Sequence, residues 1–139
     1  MNIPDAEQDA LFLIKADAPF NTECYGYAQM QLRSGRLKFL IDEPSARTRL
    51  METKAGQGMG ANQRAEYLRP FVQTTALRAQ MLNLVETSDG NNIILKQDSR
   101  AIKKDKFSAF IYGLAYIRRY EEKAGRKKSR NFKDMLFFG

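Results

Sequence analysis

Apolar residues recur along this chain with two different periods, and the switches between them outline the predicted elements. Leu11 to Lys15 (LFLIK) is a short apolar run bounded by polar residues and then Pro19, which reads as a buried strand. Asn21 or Thr22 is then the expected cap of a helix that carries Tyr25, Ala28 and Leu32 on adjacent turns and ends at Gly35. Leu37 to Ile41 (LKFLI) predicts a second strand. Asp42 to Ser45 forms a turn into a helix over Ala46 to Glu52, with Pro44 suited to a helix start. The glycines between Lys54 and Asn62 predict a loop.

Pro70 disfavours helix in the residue ahead of it, so a short helix over Gln63 to Leu68 is expected to stop there. A second helix begins near Thr74, with Leu77, Met81, Leu84 and Val85 on one face. Ser88 to Asn91 is a turn, and Asn92 to Gln97 (NIILKQ) is a third strand. The last helix is expected from Asp105 to about Lys123, where Phe107, Phe110, Ile111, Leu114, Ile117 and Tyr120 make one apolar stripe. Strands separated by helices imply an α/β layer with parallel or mixed pairing. At 139 residues and 43% apolar content, one domain with a modest core is expected.

Charge changes the picture near the C-terminus. The net charge is +7, yet residues 1–95 hold 10 Lys and Arg against 11 Asp and Glu, while residues 96–139 hold 13 against 5. The whole positive excess therefore lies in the last third, as in the electrostatic footprint for a polyanion. Within the segment Lys103 to Tyr120 Asp105 is the one acidic residue, at the mouth of the predicted helix, where free N–H groups stabilise a carboxylate.

One cysteine, Cys24, excludes an intrachain disulfide, and the absence of histidine removes the commonest zinc ligand and the usual general base. Any metal would be held by oxygen, which favours Mg2+ or Mn2+. The N-terminal apolar run spans about five residues with acidic flanks, unlike a signal peptide. No stretch approaches the roughly 18 to 20 apolar residues of a membrane span. A protein of the cytoplasm, neither secreted nor embedded in a membrane, is the expectation.

Four ordered blocks carry a resemblance: RSGRLKFLIDE from Arg33, RAEYLRPFVQTTALRAQMLNL from Arg64, NNIILKQDSR from Asn91 and KKDKFSAFIYGLAYIRRY from Lys103. Together they resemble the C-terminal part of a bacteriophage terminase large subunit, over roughly Leu11 to Ile117. That family joins a packaging ATPase to a ribonuclease H-like nuclease domain that cuts concatemeric viral DNA. The resemblance implies a partial ribonuclease H-like α/β fold over residues 1–123, about three strands with helices packed on them, and a basic, aromatic tail over 124–139. The family's last catalytic aspartate lies in a KD-x-x-SA motif, matched here by Lys104, Asp105, Ser108 and Ala109. No G-x-x-x-x-G-K-[ST] phosphate loop occurs in the chain, and Gly56-Gln57-Gly58-Met59-Gly60 lacks the Lys-Ser or Lys-Thr that would hold phosphate and magnesium. The expectation is a nuclease piece that starts downstream of the family's first catalytic strand.

The resemblance implies Asp105 as catalytic residue and as ligand for Mg2+ or Mn2+; Asp98, past the third predicted strand and close in sequence to Asp105, is the best local candidate for an auxiliary ligand. Two-ion phosphodiester cleavage places ions roughly 4 Å apart between several carboxylates, so one aspartate is insufficient. Asp42 with Glu43, and Asp17, follow predicted strands and are weaker candidates. Arg100, Lys103, Lys104 and Lys106, with Arg126, Lys127, Lys128 and Arg130 of the tail, are the expected phosphate contacts on double-stranded DNA. The implied protein partners are the remainder of the terminase large subunit, the small terminase subunit and the capsid portal, in the host cytoplasm. The alternative is a non-enzymatic DNA-binding or portal-docking module derived from a terminase.

Overall fold

The computed structural model describes residues 14–137, with side chains described through residue 125. The order is α1 (Ala18–Arg33), α2 (Glu43–Met51), α3 (Lys54–Gly58), α4 (Ala61–Leu82), β1 (Leu84–Asp89), β2 (Asn92–Gln97) and α5 (Asp105–Phe137). The fold is mixed α and β, mostly helical, with one two-stranded antiparallel sheet among the described residues.

Helix α1 is capped by Asp17, whose Oδ1 accepts the Phe20 N–H at 3.1 Å, with Pro19 in the first turn. The cap therefore lies upstream of Asn21 and Thr22, both of which are inside the helix. Gly35, with φ of 69°, follows the helix end in the left-handed region that glycine enters without strain. Leu37 to Ile41 forms no strand and has no strand partner among the described residues, which corrects the second predicted strand. The run serves packing instead: Phe39 meets Phe110 with ring centroids 5.6 Å apart, and Ile41 lies against Ala46 and Leu50. The first predicted strand, Leu11 to Lys15, lies largely outside the described residues.

Helix α4 is a single 22-residue helix with Pro70 inside it, where two helices were expected. Packing overrides the proline. Leu68 is buried with Ala46 and Leu50 of α2, and Phe71 packs on the same cluster, so both sides of Pro70 are held on one surface. Further along α4, Leu77 and Met81 join a second cluster built on Cys24, Ala28, Phe107 and Ile111. A continuous α4 is what lets one element bridge both clusters.

Leu84 and Val85 were expected to extend that helix, and they instead open β1. Asn83 ends α4, and the chain turns back through Gly90 and Asn91 to pair Leu84 with Gln97 and Asp89 with Asn92. Gly90 has φ of 58° and no non-glycine residue among the described residues has positive φ, the pattern of a two-residue type II′ turn. The sheet is thus a local hairpin, and the expected three-stranded parallel or mixed sheet is absent among the described residues. Helix α5 continues unbroken to Phe137, well past Lys123. No helix among the described residues is long and apolar enough to cross a membrane.

Candidate functional site

Asp105 is the first residue of α5, because the Lys104 carbonyl accepts the Ser108 N–H at 2.9 Å and so begins the helical ladder. Its side chain is exposed. Three contacts fix this first turn against the rest of the molecule. The Phe107 N–H donates to Gln80 Oε1 of α4 at 3.0 Å. Lys104 Nζ donates to the Leu95 carbonyl of β2 at 3.3 Å, and Lys106 Nζ to Gln73 Oε1 of α4 at 2.6 Å. Asp105 is thereby held in a set position between the sheet and α4, with its carboxylate open to solvent.

The loop between β2 and α5 is fastened by Asn83. Its Nδ2 donates to the carbonyl of Ser99 at 2.9 Å, its Oδ1 accepts the Ser99 N–H at 3.0 Å, and its own carbonyl accepts the Asp98 N–H at 2.8 Å. Gln97 Nε2 adds a bond to the Ile102 carbonyl at 2.5 Å. Asp98 and Asp105 therefore stand at the two ends of a pinned loop, both exposed.

The other candidate carboxylates have structural work. Asp17 caps α1, and Asp42 caps α2 by accepting the Ser45 N–H at 2.9 Å. That backbone bond, joined by one to the Ser45 side chain, holds the Asp42 carboxyl below its ordinary range. Glu43 pairs with Arg47 one turn along α2. Among the described residues no group of three or more Asp, Glu or Cys side chains converges as a metal-holding set. Asp98 and Asp105 do not by themselves fit a two-ion centre, which needs further carboxylates.

The basic residues divide into two groups. Lys104 and Lys106 each place one ammonium hydrogen bond on another element, Lys104 on the Leu95 carbonyl and the exposed Lys106 on Gln73, which ties the start of α5 to β2 and α4. Arg100 and Lys103 are exposed on the pinned loop and make no ion pair among the described residues. Arg126, Lys127, Lys128 and Arg130 lie on the backbone of α5, and their side chains are outside the described residues. Farther up α5, Arg118 bridges Glu23 of α1 at 2.9 Å and Glu122 at 3.0 Å, which ties the two helices together.

Gly56 shows what the glycine-rich segment does. It lies buried in α3, and a Cβ there would overlap the Leu50 carbonyl oxygen, so the glycine permits α3 to close on α2. Cys24 is buried in the α1–α5 core, and burial, reinforced by the neighbouring Glu23 charge, pushes its thiol up and leaves it protonated.

Gln80 and Asn83 were not singled out from sequence, although one signal was present. Gln80 sits three residues after Leu77 and four before Leu84, a polar side chain on an apolar stripe, and it is buried. Comparison of the chain with protein-family models, curated proteins and solved structures finds no match.

Proposed function

We propose that this chain is the C-terminal part of a phage terminase nuclease, acting in the cutting and packaging of viral DNA. The observation that carries the reading is the placement of Asp105. An exposed carboxylate opens a long helix at the edge of the basic third of the chain, and Gln80, Lys104 and Lys106 hold that turn in position. Such preorganisation is what a metal-binding carboxylate needs beside a polyanion. The four sequence blocks that resemble the terminase large subunit support the same reading, and so does the KD-x-x-SA pattern at Lys104 to Ala109.

The further carboxylates of a two-ion centre would come from another segment or polypeptide, within a ribonuclease H-like fold to which this hairpin and α5 would contribute. Mg2+ or Mn2+ would then be shared between Asp105 and those groups, with Asp98 as an auxiliary ligand. Double-stranded DNA is the substrate in this reading. The remaining large subunit, the small subunit and the portal are the protein partners, in the cytoplasm of the host.

The test uses the purified chain with plasmid DNA and Mn2+. Salt-dependent DNA binding, slow or no cleavage by the chain alone, and Mn2+ binding lost in Asp105→Asn are the expected results. Failure to bind DNA at low salt, or cleavage indifferent to Asp105→Asn, would overturn the proposal.

A second reading is favoured by the lack of a converging carboxylate set among the described residues. In it the chain is a non-enzymatic DNA-binding or portal-docking module. Asp105→Ala would then leave DNA binding unchanged or strengthen it, and no Mn2+ dependence would appear.

A further inference from the structure

The two edges of the hairpin are treated differently. On β2, the Ile93 N–H donates to Thr22 Oγ1 of α1 at 2.9 Å, and the same hydroxyl donates to the Ile93 carbonyl at 3.4 Å. Lys104 Nζ takes the Leu95 carbonyl on that edge. Two side chains thus occupy three of the outward groups that a neighbouring strand would use, both of Ile93 and the carbonyl of Leu95.

The bond from Ile93 to Thr22 also sets the phase of the ladder. Ile93 points its N–H away from β1, so its partner Ser88 points its own N–H and carbonyl away from β2. Alternation assigns the same outward direction to Glu86 and Leu84. Beyond β1 no element of the described residues supplies partners for these groups. The strand LVETSD has no proline or lysine, the residues that commonly blunt an edge, and its Val85 is 47% exposed.

The sheet face that carries Leu84 and Glu86 on β1 and Ile93 and Leu95 on β2 opens into a groove of about 260 Å³. Tyr25, Leu32 and Phe110 also line it. Glu86 is its one charged residue, exposed and without an ion pair among the described residues. An apolar groove with one unpaired carboxylate at its rim therefore runs beside a free strand edge.

We propose that β1 is a docking edge for an extended segment of another polypeptide, which adds as a third strand. Backbone pairing supplies affinity, and alternate side chains of the added strand face the groove. The residue opposite Glu86 is basic, and its neighbours two positions away are apolar. This inference does not depend on the nuclease reading, since it uses no residue of the Asp105 turn except Lys104 as a blocker of the opposite edge.

The probe is a synthetic peptide, acetyl-TITKTVT-amide, which puts Ile, Lys and Val on one strand face. Titrated into the ¹⁵N-labelled full chain, it should shift and protect the Leu84, Glu86 and Ser88 amides. Glu86→Lys should weaken binding by roughly tenfold, and a peptide with Glu in place of its Lys should restore it to that variant. Ser88→Pro removes an outward N–H without touching the β1–β2 ladder and should also weaken binding. The same peptide N-methylated along its pairing edge should not bind. Absence of binding, or binding indifferent to charge reversal and N-methylation, would overturn the proposal. So would a dimer of the unliganded chain that Ser88→Pro dissociates, because the occupant would then be a second copy of β1.

Discussion

Gln80 and Phe107 lie 27 positions apart, yet the Gln80 side-chain oxygen accepts the Phe107 backbone N–H at 3.0 Å and thereby caps α5 from another helix. A helix N-terminus leaves its first N–H groups without partners, and that of Phe107 is buried. Gln80→Met keeps the length of the side chain and removes the acceptor. The expected loss is about 1–3 kcal/mol, read as a lower urea midpoint at unchanged slope.

Gly56 tests whether the glycine-rich segment is a packing device. Gly56→Ala forces a methyl group onto the Leu50 carbonyl and should destabilise by about 1–3 kcal/mol in thermal or urea unfolding. Gly58→Ala is the control. A Cβ there meets nothing within 4 Å, so its effect should be small.

Asp42 predicts a pH dependence. Its carboxyl is held below the ordinary value of 3.8 by the Ser45 bonds, so the folded state binds its proton less readily than the unfolded chain. Stability from this cap is complete above the unfolded value and disappears as the pH falls through the lower folded value. Asp42→Asn retains an acceptor without the charge. The melting temperature of the variant should therefore fall less steeply than that of the parent as the pH drops below about 4.

The division of the basic residues predicts different effects on DNA binding. Arg100→Gln and Lys103→Gln should each reduce the slope of log affinity against log salt by about 0.9, if each contacts one phosphate. Lys104→Gln and Lys106→Gln remove fasteners of α5, and their main effect should be a lower melting temperature. Fluorescence anisotropy of a labelled duplex across a salt series, beside melting curves, separates the two outcomes.

Cys24 should be unreactive in the folded chain. Burial and the Glu23 charge keep its thiol protonated, so labelling by a disulfide reagent at pH 8 should proceed far more slowly than in urea. Equal rates would place the thiol at the surface.

Elements that local chemistry dictates were legible from sequence. The helical period and the Gly35 stop predicted the body of α1, NIILKQ predicted β2, the residues Ser88 to Asn91 predicted its turn, and Asp105 marked the start of α5. Each rests on contacts within a few residues, where backbone preference and hydrophobic period act directly. Tertiary structure decided the remainder. Pro70 stays inside α4 because Leu68 and Phe71 are both held on the α2 cluster, an arrangement its neighbours in sequence do not encode. LKFLI has the composition of a strand but no strand partner among the described residues, and Phe39 packs on Phe110 instead. Leu84 and Val85 suit either period, and pairing with Gln97 and Lys96 selected strand. The same division holds at the candidate site: sequence located Asp105 and the basic stretch, whereas only the packing of α4 and β2 showed that Lys104 and Lys106 fasten the helix while Arg100 and Lys103 remain open to solvent.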